Sequence, residues 1–441
     1  MQPTPKKELS LLDSTCLIVG IIVGVGIYQM APDIAKGTAS AWGVLGIWLV
    51  GGMLSLCGAL GYAELASAWP REGGDYVYLT RAYGRWAGFL FGWIQLVIVR
   101  PGDIAVMAFA FATYGAALYD PLPAAERSVT LRLYACAAVA ALTAINILGV
   151  KAGKWAQNVL AIVKALGLLA IVGVAVLAPA GRPVAAAVGP LPWSLALIFV
   201  LFTFGGWNEM AYVAAEVRNP SRNIVRALVL GTVAVTALYL LVNGAFLYTL
   251  GYGGLAASKA VAADSIATVF PEVGGRLISA LVCVSALGAV NGLVFTGARI
   301  SYAVGAEHRA FGVVGQWHPR TGTPVRALLL QGGIAVVLIV VLGSFVGAIL
   351  YTAAPVYLFY LATSLAIVVL RLKEPGVERP YRMTAYPLPI IVFSAVCAFL
   401  IYSAVDYKPW VAAGSGAILL LGLPIYWLTS WRREAAQEGG P

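Results

Sequence analysis

The chain has 441 residues, of which 61% are hydrophobic and only 11% charged, and its mean hydropathy is +0.87. Because a soluble domain carries about 25% charged residues, this composition excludes a soluble globular protein and predicts an integral membrane protein. The net charge of +10 does not by itself indicate nucleic-acid binding, since loops flanking membrane helices are also basic.

Apolar runs long enough to cross a bilayer, which takes about 20 residues, predict an all-α polytopic membrane protein with 12 transmembrane helices. These predicted spans, numbered 1 to 12, cover residues 11–35, 41–68, 85–118, 130–149, 155–179, 193–215, 226–250, 274–303, 324–344, 346–370, 386–405 and 410–430. The polar start MQPTPKKELS is too short for a cleavable signal peptide, so span 1 is expected to be retained. Polar tails are predicted at 1–10 and 431–441.

The distribution of Lys and Arg among the loops predicts the orientation. With a cytoplasmic N-terminus, and with residues near a span end counted with the adjoining loop, the inside segments hold 20 of these residues and the outside segments 7, while Arg100 and Lys164 lie deep within spans. This excess predicts that both termini are cytoplasmic in a cell (inner) membrane. Topology therefore explains the basic charge without nucleic acid, and no extramembrane segment reaches the size of a domain.

Two glycine-rich interruptions stand at corresponding positions in the chain. Residues 20–29, GIIVGVGIYQ, place Gly20, Gly24 and Gly26 in span 1, and residues 202–216, FTFGGWNEMAYVAAE, interrupt span 6. If the first ten spans form two repeats of five, the odd number makes the second repeat inverted, and spans 1 and 6 correspond. Paired broken helices are typical of the binding site of a secondary transporter. The alternative is glycine-mediated helix packing.

Such breaks suit a zwitterionic substrate. Freed amides at the start of a half-helix bind an anion, and freed carbonyls bind an ammonium group. An amino acid needs both.

Lys164 lies midway along span 5, where a charge is costly and indicates function. Its ammonium group could replace a bound sodium ion by bridging backbone carbonyls of neighbouring helices. It could instead carry a coupling proton, or its stem could extend the charge to the membrane interface.

Acidic residues within spans are few. Arg100 and Asp103, at positions i and i+3 of span 3, predict a structural ion pair, with a role in gating or in the substrate pathway as the alternative. Glu209 follows the break in span 6 and could attract a cation, carry a proton or cap a half-helix. Glu64 and Glu216, near the cytoplasmic ends of spans 2 and 6, are expected to contact loop arginines.

The sequence contains no P-loop, HExxH motif or nucleophile elbow, and its two histidines lie in one polar loop. None of the five cysteines shows CxxC spacing, and all fall in apolar runs: Cys16, Cys57, Cys136, Cys283 and Cys397. We therefore expect no cofactor, no metal site and no enzymatic activity.

A family likeness is carried by four segments: VGIIVGVGIYQMAPDIA, GYAELASAWPREGGDYVYLTRAYG, FTFGGWNEMAYVAAEVRNPSRNI and SALGAVNGLVFTGAR. They resemble the amino acid–polyamine–organocation superfamily, and within it most closely the L-type amino acid transporter family. The resemblance covers essentially the whole chain in order. It implies a LeuT-type fold with helices 1 and 6 broken, residues 11–180 and 181–370 as inverted repeats, and peripheral helices over 371–430.

The resemblance also implies a substrate site and a coupling site. The substrate residues would be Ile21, Ile22, Gly24, Val25, Gly26, Phe202, Phe204, Gly205, Trp207 and Asn208. By this likeness, amides at 24–26 receive the substrate carboxylate, and carbonyls near 21, 22 and 202 receive its α-amino group. Phe202 gates the extracellular side, and Lys164, with Ser285 nearby on span 8, takes the place of sodium.

The sequence departs from the family pattern in two residues. Val25 stands where a serine is usual, which removes a hydroxyl ligand but keeps the amide, and Glu209 adds an acid where a neutral residue is usual. The loop YDPLPAAERS also lacks a cysteine. A disulfide-linked heavy chain is therefore not expected.

The sequence thus predicts an alternating-access amino acid transporter, sodium-independent and working by exchange or with protons. A polyamine or cationic amine permease, with Glu209 as ammonium ligand, is the alternative. A membrane-embedded enzyme is more distant, since acids within the spans are sparse and not grouped with histidine.

Overall fold

A computed structural model describes residues 6–178, 191–308, 311–342, 345–407 and 409–438. Within these ranges the regular structure is helical, apart from two isolated bridges, Leu9 with Val217 and Glu72 with Val213. The helices are Leu11–Ile22, Gly26–Gln29, Ala31–Lys36, Ala41–Ala68, Asp75–Tyr83, Arg85–Leu118, Arg127–Ile147, Val150–Leu177, Trp193–Thr203, Pro220–Ala257, Val261–Ala267, Gly274–Glu307, Val325–Leu342, Phe345–Lys373, Leu388–Tyr407 and Pro409–Glu438.

The twelve predicted spans are all present as helices, and spans 2 and 3 have the predicted bounds. Within the part of the chain that the structure describes, ten are long and apolar enough to cross a membrane, and two apolar helices are shorter, Trp193–Thr203 and Val325–Val341. Span 7 is longer than predicted, because its helix continues to Ala257 past a kink at Gly251, where φ is 68°. Span 12 also continues, through Glu438, into the predicted C-terminal tail.

Spans 1 and 6 are broken, as predicted. Span 1 ends at Ile22 and resumes at Gly26. Span 6 ends at Thr203 and continues only as short 3-10 turns over Glu209–Tyr212 and Ala214–Glu216. Span 1 begins with a capping box in which Ser10 and Asp13 satisfy each other's free donors.

The packing follows the five-plus-five order of a LeuT-type fold. Span 2 packs along span 7, and span 3 packs along span 8. The members of each pair are five spans apart, as expected when two repeats are related by a pseudo-two-fold axis. Among the long helices of the described residues, span 12 is the most exposed, with 11% of its membrane-crossing stretch buried, so it is peripheral. Span 11, at 28%, is as exposed as span 5.

Three chain segments are joined on the predicted cytoplasmic side, and we call them the cytoplasmic clasp: Leu9, Glu72–Gly73 and Tyr212–Arg218. The amide of Leu9 donates to the carbonyl of Glu216 at 2.9 Å, and the amide of Gly73 donates to the carbonyl of Tyr212 at 3.1 Å. The clasp ties the start of span 1 and the loop after span 2 to the end of span 6.

Two buried acids near the clasp are paired with arginines. Glu64 lies 2.6 Å from Arg371 and 3.5 Å from Arg379. Glu216 pairs with Arg299 at 2.7 Å, and both side chains are fully buried. The expectation of arginine partners is confirmed. The expectation that they lie in loops is wrong for Arg299, which is within span 8, and for Arg371, which lies in the last turn of the helix Phe345–Lys373.

Candidate functional site

The two helix breaks lie against each other. A Cβ added to Gly26 would lie 2.8 Å from Oγ1 of Thr203, and one added to Gly206 would lie 2.5 Å from Cγ2 of Ile21. Gly206 also has a φ of 105°, a conformation that residues with a side chain rarely adopt. Glycine is therefore required at both contacts for the breaks to meet at such short distances.

We expect Gly206→Ala to destabilise the protein by at least about 1–2 kcal/mol, the cost of a left-handed conformation for a residue with a Cβ. The contact with Ile21 adds to this cost. Thermal unfolding in detergent measures the effect, and Gly244→Ala is the control, because a Cβ there meets nothing within 4 Å. Equal unfolding temperatures for the two variants would contradict the prediction.

Side chains from other spans bind the carbonyls freed by the break in span 1. The hydroxyl of Tyr239 donates to the carbonyl of Ile22 at 2.9 Å. The hydroxyl of Ser285 lies 2.9 Å from the carbonyl of Val23 and 3.0 Å from that of Gly24. Unwound backbone at this depth is tolerated only because such partners exist.

Lys164 is the centre of this arrangement. Its Nζ lies 2.6 Å from the carbonyl oxygen of Gly20, 2.7 Å from that of Val23 and 3.0 Å from that of Ser285. The side chain is fully buried, and three acceptors match the three hydrogens of an ammonium group. The side chain thus ends between spans 1 and 8, not at the membrane interface, so the interpretation of an extended, interfacial lysine is wrong.

Backbone amides at the start of the second half of span 1 lie next to the break, where the amide of Gly24 donates to the carbonyl of Ile22 at 2.7 Å. Gly26–Gln29 and Ala31–Lys36 are joined by Met30 in a helical conformation (φ −87°, ψ −17°), so one nearly continuous helical segment begins at Gly26. The first amides of a helix have no acceptor within it. Val25 is buried and supplies no hydroxyl there.

The predicted pocket residues of span 6 divide between two aromatic clusters. Phe204 packs on Trp48 and Tyr239, with ring centroids 6.1 and 5.1 Å apart. Trp207 packs on Tyr62 and Tyr360 at 5.1 and 5.4 Å.

The other predicted residues of this half of the site are engaged in hydrogen bonds or only partly covered. Asn208 donates to the hydroxyl of Tyr212 at 2.9 Å and accepts from Tyr360 at 3.2 Å. The carbonyl of Phe202 accepts from the amide of Gly205 at 2.9 Å, and both residues are partly exposed.

The predicted ion pair between Arg100 and Asp103 is wrong. Nη1 of Arg100 lies 2.8 Å from Oε1 of Glu209, and its Nε donates to Gln95 at 3.0 Å. Both members of the pair are about 5% exposed, and the guanidinium also lies 4.8 Å from the ring of Tyr212. The guanidinium is engaged by Glu209 of span 6 and by Gln95, so proximity along one helix was a poor guide.

Sequence reasoning missed Asp75, the first residue of the helix Asp75–Tyr83. This buried carboxylate accepts hydrogen bonds from the hydroxyls of Tyr212 at 2.7 Å, of Thr363 and of Tyr62. Asp75 thereby connects spans 2, 6 and 10. The available signal for a helix start was that this aspartate directly follows GG and is the first residue of the amphipathic stretch DYVYLTRAY.

Among the residues with described positions, no group of three or more His, Cys, Asp or Glu could hold a metal ion. The candidate site is therefore one of backbone groups, hydroxyls and one buried ammonium. It can bind a small molecule with complementary charged ends.

Fold and site together define a multi-pass membrane protein of the class of secondary transporters with two broken helices. The chain belongs to the amino acid permease family, whose model matches residues 9–423. It is 32% identical over 436 residues to the mouse (Mus musculus) b(0,+)-type amino acid transporter 1, covering 96% of this chain and 88% of that protein.

Two further relatives match at similar levels. The serine/threonine exchanger SteT of Bacillus subtilis (strain 168) is 31% identical over 431 residues, with 96% of each chain covered. The human (Homo sapiens) large neutral amino acids transporter small subunit 2 is 32% identical over 444 residues, covering 96% of this chain and 80% of that protein.

Proposed function

We propose that this protein moves amino acids across the membrane by alternating access, without sodium and by exchange. The observation that carries the proposal is the ammonium group of Lys164, which holds carbonyls of spans 1 and 8 together. A fixed cation at this position leaves no requirement for a sodium ion. The relatives named above are one exchanger and two amino acid transporters, and their names support the same assignment.

In the proposed substrate complex, the carboxylate lies at the amides of Gly24, Val25 and Gly26, where the helix dipole favours an anion. The α-amino group lies at carbonyls near Ile21 and Phe202. The carbonyl of Ile22 already accepts from Tyr239, so it contributes less than the sequence predicts. The substrate side chain is placed toward Phe204, Gly205, Trp207 and Asn208.

The alternative of a cationic amine permease is weakened by the partner of Glu209. In that alternative Glu209 binds an ammonium group, yet its carboxylate already pairs with Arg100. Proton symport stays open as an alternative to exchange.

The setting of the transporter is part of the proposal. We place it in the cell membrane with both termini cytoplasmic, supported by the positive charge of the predicted inside loops. It works without a disulfide-linked heavy chain, since the outside loop between spans 3 and 4 has no cysteine. Inverted repeats are assigned to 11–180 and 181–370.

Uptake into proteoliposomes tests the proposal. Amino acid uptake is expected to remain unchanged when sodium is replaced by choline, and to rise when substrate is present inside. The assay runs across neutral amino acids, cationic amino acids and amines. Strong sodium dependence would refute the proposed role of Lys164, and uptake of amines alone would favour the alternative.

A further inference from the structure

Glu72 is a carboxyl group in the cytoplasmic clasp that nothing in the proposed mechanism uses. It lies in the loop between spans 2 and 3, and its backbone pairs with Val213 just after the broken part of span 6. The side chain is half-buried, but its Oε1 is fully buried and receives no hydrogen bond from another residue within the described ranges. A buried, unpaired carboxylate oxygen is costly.

The arginines whose charges act on Glu72 form no ion pair with it within the described residues. Arg299 on span 8 is a buried cation whose charge acts on Glu72, but its Nε and Nη2 bind both oxygens of Glu216 at 2.7 and 3.2 Å. Its Nη1 donates to the carbonyl of Phe295 at 2.8 Å. The guanidinium of Arg299 therefore pairs with Glu216 and not with Glu72.

The remaining groups that act on Glu72 come from its own loop and from span 8. Arg71 precedes it and is exposed to solvent, and Tyr302 on span 8 is close enough for an electrostatic interaction with it. Burial, together with the negative charge of Glu216, raises the pKa of Glu72 to about 7, although Arg299 and Arg71 oppose the shift. A carboxyl group is ordinarily near pKa 4.3.

We propose that Glu72 is a proton-binding site of the transport cycle, occupied while the cytoplasmic clasp is closed and emptied when it opens. The inference rests on the proposed function, because it assumes that the clasp opens during alternating access. Opening separates the loop of Glu72 from the end of span 6, and water then reaches the carboxyl group. The proton leaves to the cytoplasm as the group returns to its ordinary acidity.

Proton binding by Glu72 makes the balance between the closed and open clasp depend on internal pH. A group with a raised pKa in the closed state binds its proton there more tightly than in the open state, so acid favours the closed state. As internal pH falls through about 7, Glu72 is protonated only in the closed state. With a pKa of about 7 in the closed state and about 4.3 in the open state, lowering the internal pH from about 8.5 to about 5.5 shifts the equilibrium toward the closed state by about thirty-fold.

Exchange into proteoliposomes, measured against internal pH at fixed external pH, tests the site. We expect the rate for the unmodified protein to fall several-fold toward acid, and Glu72→Gln to abolish this dependence. Glu378→Gln is the matched control, because Glu378 is an exposed acid of the loop after span 10, and it should retain the dependence. A Glu72→Gln variant that follows the profile of the unmodified protein would overturn the proposal.

Two further measurements keep the test decisive. If Glu72→Gln does not fold, Glu72→Asp should keep the pH dependence with a shifted midpoint, and an unchanged midpoint would count against the proposal. Infrared difference spectra should show a carboxylic acid band that titrates near neutral pH in the unmodified protein and in Glu378→Gln, and that is absent from Glu72→Gln or shifted in Glu72→Asp. Absence of that band rejects the site even if no transport is measured, whereas its presence without transport rejects only the proposed function.

Discussion

Lys164→Met is expected to reduce amino acid exchange at least about ten-fold, equivalent to 1.4 kcal/mol, while the protein remains folded. Methionine keeps the length of the side chain but has no donor. The carbonyls of Gly20, Val23 and Ser285 then lose their shared ammonium, and leaving a buried acceptor unsatisfied costs about 1–3 kcal/mol. The hydroxyl of Ser285 still donates to the carbonyl of Val23, so the unwound backbone of span 1 is held less firmly but keeps one of its partners.

Matched variants separate the role of the ammonium from that of positive charge in general. Lys164→Arg should not restore exchange, because a Cβ at Gly288 would already lie 2.8 Å from Nζ, so little room is left for a guanidinium. Lys151→Ala removes an exposed lysine from the same helix and should leave exchange unchanged. Initial rates in proteoliposomes measure both effects. Exchange by Lys164→Met at the unmodified rate would remove the proposed coupling role.

The sequence predicted the broken helices well, because the cost of glycine in a helix is local and repeats at two equivalent positions. Three glycines near residue 24 and two near residue 206 were sufficient to predict where the helices end. The bridging position of Lys164 was also one of the predicted arrangements, since a charge at the centre of a span has few possible partners.

Partner choice between distant spans was not predictable in the same way. Arg100 was assigned to Asp103, three residues away, and instead binds Glu209, which is 109 residues away. Likewise, nothing in the sequence brings Asp75 together with Tyr62, Tyr212 and Thr363. Such contacts depend on how the helices are rotated about their axes, and hydropathy gives almost no information on this for helices buried on all sides.

The pair of Arg100 and Glu209 gives the second large prediction. We expect Arg100→Gln to destabilise the protein by about 3–5 kcal/mol, the cost of leaving one member of a buried pair without its partner. The double variant Arg100→Gln with Glu209→Gln should recover most of this loss, because two neutral amides leave no uncompensated charge. Thermal unfolding of the single and double variants measures the coupling between the two residues. Purely additive losses would contradict a direct pair.

The same residues decide between the two transport hypotheses. If Glu209 serves only to neutralise Arg100, Glu209→Gln should lower uptake of neutral and cationic substrates by the same factor, through weaker packing around Asn208. If Glu209 instead binds the substrate's ammonium group, the variant should lose cations and spare neutral amino acids. The closed ion pair at 2.8 Å favours equal losses, because binding a cation there would first require Arg100 to leave a site with little access to water.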